Sequence, residues 1–429
     1  MKIKEPLKLK IEKAQKFLYK NNLIYENIDF ETEINRFIHQ MELGLSSNDG
    51  LPMVPTYVSG RLIPKQGRKA IAVDVGGTNL KVALLEMNDF KTRIIDIVKE
   101  PSMGKTVPVT FDVFINDLVR KIEPFLKYSK MISFSFSHEV KHRNDMDGQV
   151  SYLSKEILIT DFKGRLLADS LKQGIKKHTG VDVNVVLIND TVGVAGSMLQ
   201  HGDEFQNYFG VVMGTGANAC YIEQSKNIKK IDDAKTETMF INVESGEYVP
   251  LIVSAIDQEF DSTTLMPNTA ILEKMVSGEY LGKLYYFLIK KTCGEGLFSD
   301  GFIQNIEKQE PLDTKALSVL YKSKSSGAYV DMCINNNDVQ LLYFFAKCLI
   351  KRAAALISIQ IIAISRKIYQ QKNAPICVII EGSTFYGLKG FKNMVMKYIE
   401  ENKNDMDIKI FSVDDAALVG IGNIGLALE

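Results

Sequence analysis

A turn of glycine and threonine between two apolar runs of strand length occurs twice in this chain, and that recurrence decides much of its architecture. Asp74-Val75-Gly76-Gly77-Thr78-Asn79-Leu80-Lys81 joins the runs at 70–75 and 80–85, and Gly214-Thr215-Gly216-Ala217-Asn218 joins those at 208–213 and 217–223. Glycine has no Cβ, so the N–H groups of such a turn can come close to phosphate oxygens. Thr78 and Asn79 add donors, Lys81 adds a charge, and Asp74 can face the hydration shell of a Mg²⁺ ion. Either turn alone reads equally well as a tight hairpin, and neither is a Walker A sequence. Two of them in successive segments of the same texture can clamp one triphosphate from opposite sides.

That texture is α/β. Further short apolar runs at 94–98, 131–136 and 183–188 are bounded by Gly, Asn or Asp, as buried strands are, and amphipathic stretches at 113–126 and 165–177 separate some of them. The second set continues with strand-like runs at 239–243 and 376–381 and helical patterns at 270–291, 339–371 and 388–401. Residues 7–45 carry apolar positions at helical spacing until Gly44, Gly50, Pro52 and Pro55 break the pattern into an extended connector. Two successive α/β units in 429 residues predict two lobes with a cleft between them.

Charge excludes some functions. With 52 Lys plus Arg against 52 Asp plus Glu, the chain has no broad basic field for nucleic acid or anionic lipid. Cys220, Cys293, Cys333, Cys348 and Cys377 share no CxxC spacing, which favours a reducing compartment and a cytoplasmic location over a disulfide framework. No apolar stretch near the N-terminus reads as a secretory signal. The longest apolar run, residues 353–365, falls short of the ~18 residues of a membrane span and reads as part of a buried helix.

Between the two turns, Leu187-Ile188-Asn189-Asp190-Thr191-Val192-Gly193 ends an apolar strand with an Asn-Asp pair. Ligand sites in open α/β sheets lie at the carboxyl ends of strands, so Asp190 can take a proton from a substrate hydroxyl; it can equally cap the following helix. Asn242-Val243-Glu244-Ser245-Gly246-Glu247 likewise ends a strand with acceptors. Carboxylates and amides facing one cleft suit a polyhydroxylated ligand, whose O–H donors need acceptors. Two other motifs lack the right context. His138-Glu139-Val140-Lys141-His142 matches the zinc-binding HExxH pattern of metalloproteases, but it follows a strand-like run and precedes a turn-rich segment, so a polar loop is the better reading. Gly420-Ile421-Gly422-Asn423-Ile424-Gly425 fits GxGxxG, yet a dinucleotide site has no room at this end of the chain, and close helix packing explains the glycines better.

Taken in order, these segments resemble the hexokinase family of sugar kinases, within the actin-like ATPase superfamily. Met53-Val54-Pro55-Thr56-Tyr57-Val58 and the 74–81 segment look like the family's N-terminal approach and first phosphate motif, with Lys81 where Arg is usual. Residues 132–137, followed by Gly148, Ser154 and Lys155, look like the sugar-binding segment that ends in Trp-Thr-Lys, with Leu153 for the Trp and Ser154 for the Thr. Residues 187–193 resemble the catalytic Asn-Asp-Thr motif, 214–223 the second phosphate motif, and 241–246 the sugar-binding Glu strand. Residues 273–282, reading EKMVSGEYLG, Arg352-Ala353-Ala354 in the long helix, and Glu381-Gly382-Ser383, where Asp-Gly-Ser is usual, extend the likeness to the C-terminus. There are departures. His138-Glu139 replaces Phe-Pro, the second sugar-binding Glu falls on Ser262 with Asp261 and Glu259 nearby, and the C-terminal nucleotide loop is shortened to Val413-Asp414-Asp415 before Ala416-Ala417.

The resemblance implies an α/β, two-lobed actin-like ATPase (ribonuclease H-like) fold with a nucleotide and sugar cleft between a small domain, residues 65–190 plus 412–429, and a large one, residues 1–64 plus 191–411. It implies phosphorylation of a hexose, glucose first, at the 6-hydroxyl, the first step of glycolysis, with ATP as donor and Mg²⁺ as metal. Asp190 would be the general base, aided by Lys155, and Ser137, Ser154, Lys155, Asn189, Asp190, Asn218, Glu244 and Asp261 would hold the sugar. Asp74, Gly76, Gly77, Thr78, Asn79, Lys81, Gly214, Thr215, Gly216, Gly382 and Ser383 would hold the nucleotide, Asp74 also orienting the Mg²⁺. The length is that expected of one such two-lobed unit rather than the tandem form, and a homodimer is compatible with it. The alternative is a sugar-sensing or regulatory protein that kept the fold and lost turnover. Ser262 and the short C-terminal loop motivate it; Asp190, Asp74 and the two turns oppose it.

Overall fold

The computed structural model describes residues 5–76, 79–104, 107–152, 158–204, 207–232, 235–369 and 375–429. Its first sheet has five strands in the order Asn184–Ile188, Met131–Phe136, Lys69–Val75, Asn79–Asn88, Lys91–Pro101. The first three run parallel and the last two complete an antiparallel meander. Parallel strands covered on both faces read as continuous apolar runs, which is why these segments lack alternation. Their faces nevertheless differ in size. Ile71, Val73 and Val75 pack with the helices Phe111–Ile122 and Leu167–Thr179, whereas Ala70 and Ala72 face the C-terminal helix Ala416–Leu428. Small residues there let the helix lie close: a Cβ on Gly425 would come 2.3 Å from Ser133 Oγ and 3.1 Å from Ala70 Cβ. The GxGxxG stretch is thus a packing surface.

The second sheet has six strands in the order Val54–Ser59, Thr238–Asn242, Ala217–Gln224, Asn207–Met213, Ile376–Glu381, Ile408–Phe411, antiparallel over the first four and parallel over the last three. It packs on the helix Asn336–Ile368, which by length and composition alone could cross a membrane, yet 89% of its most apolar window is buried inside the protein. Arg352 lies within that helix with no exposure, and its guanidinium donates to both oxygens of Asp257 at 2.8 and 2.7 Å. A charge so deep is tolerable only when paired in this way.

Several expectations need correction. The continuous helix at 270–291 is two helices, Ile271–Val276 and Leu281–Cys293. It breaks because Gly278 turns aside to donate its N–H to Gly214 O at 2.8 Å, and a Cβ at 278 would lie 2.7 Å from that oxygen. The helical stretch at 7–45 is likewise two helices, Glu5–Lys20 and Phe30–Ser46, the second capped by the Asp29 carboxylate accepting from Thr32 N–H. The connector before the first sheet contains the strand Val54–Ser59, and Ile408–Phe411 is a further strand absent from the sequence reading. The HExxH stretch is the strand Glu139–His142, paired antiparallel with Gly148–Tyr152, so no helical face brings its two His together.

Candidate active site

Three parallel strands end side by side. Register sets Asp74 opposite Ser135 and Ile188 opposite Ser135 on its other side, so Gly76, Ser137 and Asn189-Asp190 all emerge at one edge of the first sheet. The Ser137 N–H donates to Val75 O at 3.0 Å and holds the middle segment against the first turn. Asn189 is the cap of the helix Asp190–Gly196, its side chain accepting from Thr191 N–H at 2.9 Å. Capping therefore falls to Asn189, and Asp190, the first helical residue, keeps a half-buried carboxylate whose Oδ1 accepts from the same N–H at 2.8 Å.

The phosphate-like side is built on both sheets. Hairpin register places Lys81 directly opposite Asp74, and the Gly76 N–H donates to Asn79 O at 3.0 Å across the turn. Ser102, which the sequence reading missed, donates its hydroxyl to Gly76 O at 2.6 Å. Burial pushes the Asp74 carboxyl up to about 7; the Lys81 charge opposes this and the Asp190 and Glu381 carboxylates add to it. On the second sheet, Gly214 O accepts from Gly278 N–H and from Thr384 Oγ1, both at 2.8 Å, and Thr215 O accepts from Glu279 N–H at 3.1 Å. Gly382, at φ 139°, passes so close to the same turn that a Cβ would meet Met213 O at 2.2 Å, which carries Gly382 and Ser383 to Gly214. Glu381 accepts from Ala417 N–H at 2.7 Å, joining the second sheet to the helix that packs on the first.

The sugar-like side is a chain of amides and carboxylates. Asn218 Nδ2 donates to Asn242 Oδ1 at 2.9 Å, and Asn242 Nδ2 donates to Glu244 Oε1 at 2.6 Å. Burial raises the Glu244 carboxyl to about 7, the Asn242 amide opposes this, and the Asp190, Glu273 and Glu247 charges push it further. Glu273 is the carboxylate that sequence reading missed. Its Oε2 accepts from Ala217 N–H at 2.9 Å and lies where a Cβ on Gly216 would come within 2.7 Å, so it sits on the second turn beside Glu244. Its signal was the EKM motif itself. Asp261, expected to substitute for a sugar-binding Glu, is instead buried in an ion pair with Lys274 and accepts from Asn268 N–H at 2.7 Å. Ser262 is exposed and donates to Glu259 O at 2.6 Å. Gly77, Thr78, Ser154 and Lys155, all expected at the site, lie outside the described residues. A cavity of about 1550 Å³ bordered by Arg61, Tyr221, Glu223 and Lys367 contains none of these site residues.

One hexokinase family model matches residues 208–426, and a second matches residues 16–198. The chain belongs to the hexokinase family. It is 30% identical to the human hexokinase HKDC1 over 303 residues, which is 65% of this chain and 32% of that protein. It is 26% identical to rat hexokinase-1 over 432 residues, 93% of this chain and 46% of the relative. The chain thus spans less than half the length of these curated relatives. The glucose-complexed hexokinase of Schistosoma mansoni shares the fold throughout, with a TM-score of 0.83, 21% identity, and coverage of 98% of this chain and 99% of that one. The chain therefore has the two-lobed actin-like ATPase fold of hexokinases.

Proposed function

We propose that this protein transfers the γ-phosphoryl group of MgATP to the 6-hydroxyl of a hexose, glucose first, with Asp190 as general base. The observation that carries the reading is the placement of the Asp190 carboxylate at the joined ends of three parallel strands, close enough to the buried Asp74, Glu244 and Glu381 carboxyls for its charge to raise their proton affinities. A phosphoryl-transfer transition state is loose, so positioning and charge do most of the work. Asp190 would accept the hydroxyl proton as the bond to phosphorus forms. Asn189, Asn218, Glu244 and Glu273 offer acceptors and donors to the remaining hydroxyls. The N–H groups of the two turns and the Lys81 ammonium would face the phosphates.

The residues present fit a hard divalent cation. Asp74 is a buried carboxylate whose proton affinity the Lys81 charge lowers and the Asp190 and Glu381 carboxylates raise, and the described residues hold no cluster of three or more ligating side chains, which suits an ion held through its water shell. When bound, the ion would neutralise phosphate charge, with Asp74 holding its hydration shell. The lobes would divide at about residues 65, 190 and 412.

Glu273 removes one motive for the sugar-sensor reading, because a second carboxylate beside Glu244 no longer depends on Ser262. A coupled ADP-release assay with glucose, mannose, fructose and N-acetylglucosamine separates enzyme from sensor and ranks the sugars. Asp190→Ala should lose sugar-dependent ADP release while melting within a few degrees of the parent, and near-normal turnover in that variant would remove Asp190 from the role of base.

A further inference from the structure

The helix Asn336–Ile368 is nearly all apolar where it crosses the core, yet Gln360 sits among its buried isoleucines with no exposure. Its Nε2 donates to Ser245 Oγ at 3.0 Å, while among the described residues Oε1 has no partner. Ser358, two residues earlier, shows the inexpensive arrangement for a polar group in such a helix: its hydroxyl donates to Ala355 O of the same helix at 2.7 Å. Gln360 instead reaches out of its helix and leaves half of its amide unsatisfied, a penalty an apolar side chain of equal size would not carry.

The place it reaches is the turn behind the sugar-like side. Ser245 follows Glu244, whose backbone is at φ 52°, ψ 48°, a left-handed conformation that non-glycine residues adopt only when their surroundings hold them there. The Ser245 N–H donates to Asn218 Oδ1 at 3.2 Å, and Asn218 in turn leads through Asn242 to the Glu244 carboxylate. Ser245 is thus gripped from the cleft side by Asn218 and from the core side by Gln360. We infer that Gln360 is a positioning residue for sugar binding: through Ser245 it pins the strained turn that aims Glu244 at the hexose. The inference rests on the kinase reading of the site.

Gln360→Met keeps the side-chain volume and removes the amide. It should raise the KM for hexose about tenfold, leave the KM for MgATP within about twofold, and melt at the parent temperature or above. Ser245→Ala should have the same selective effect, and the double variant should be no worse than either single one, since both break one contact. An unchanged hexose KM in Gln360→Met, or a loss that falls equally on hexose and nucleotide together with a lower melting temperature, overturns the inference. If Gln360→Met does not fold, Ser245→Ala is read by the same criteria. Should the parent protein show no hexose-dependent ADP release, the kinase reading fails on its own, and the hexose-induced rise in melting temperature becomes the readout. A rise lost in Gln360→Met then supports the positioning role, and a rise retained in it overturns that role.

Discussion

Lys81 Nζ lies 2.7 Å from Asp415 Oδ1, so the cation of the first turn is held by the residue just before the C-terminal helix. The amine faces Asp74, Asp415 and Glu381 together, and these charges raise its proton affinity against the effect of burial. A phosphate entering the cleft would take over part of that ion pair. Lys81→Met should therefore raise the KM for MgATP roughly ten- to hundredfold, the size of one lost charge-assisted hydrogen bond, with hexose KM unchanged. Asp415→Asn should lower the same constant a few-fold by removing a competing anion. Steady-state titrations of each substrate measure both; a nucleotide KM untouched in Lys81→Met would place the amine away from the phosphates.

Asp74 and Glu244 give the free protein a particular pH dependence. Both carboxyls are raised to about 7 mainly by burial, whereas an unfolded carboxyl titrates near 4. The folded state therefore holds protons that the unfolded state has released between about pH 4 and 7, and stability falls as pH rises through that window. Asp74→Asn should stabilise the ligand-free protein by roughly 1 to 3 kcal/mol at pH 8, with the gain vanishing toward pH 4, while turnover is lost. Urea unfolding at several pH values tests it. A variant less stable than the parent at pH 8 would show that Lys81 outweighs desolvation.

Legibility in the sequence followed the range of the interactions. Asp74, Asn189 and Asp190 stand out in the sequence because each lies at the end of an apolar run, and the strand register sets those ends side by side. Glu273 stands out less, because what brings it to the second turn is a hydrogen bond from Ala217, 56 residues away. The same limit joined Ile271–Val276 to Leu281–Cys293, since a lone Gly278 is only a weak local signal and its contact with Gly214 is what fixes the break. Asp261 looks available in the sequence, and only the fold shows Lys274 set against it.

Glu273 and Asp261 can be told apart by what their loss affects. Glu273→Gln removes a carboxylate acceptor from the sugar-like side and should raise the hexose KM tenfold or more, about the worth of one hydrogen bond to a charged group. Asp261→Asn leaves the Lys274 ammonium buried without its counter-charge and should destabilise the fold by roughly 3 kcal/mol while hexose KM stays near the parent value. Paired kinetics and chemical denaturation of the two variants decide it, and a large hexose KM change in Asp261→Asn would restore that residue to the site.

The C-terminal helix and the helix that begins at Asp190 cross where neither has room for a side chain. A Cβ on Gly420 would lie 1.7 Å from Gly193 O, and one on Gly193 would lie 2.6 Å from Ala417 O, so contact there is backbone on backbone. Gly422, by comparison, has the Leu85 side chain as its nearest neighbour: a Cβ there would lie 2.5 Å from Leu85 Cδ2, the end of a side chain rather than backbone. Gly420→Ala must therefore push the two helices apart and carry Asp190 with them, whereas Gly422→Ala need only rearrange one leucine. The first should lose roughly 2 to 4 kcal/mol of stability and a tenfold or larger fraction of kcat; the second should lose less than about 1.5 kcal/mol and keep most of its turnover. Melting curves and saturating-substrate rates for the pair check this, and equal effects in the two variants would mean that the crossing does not set the position of Asp190.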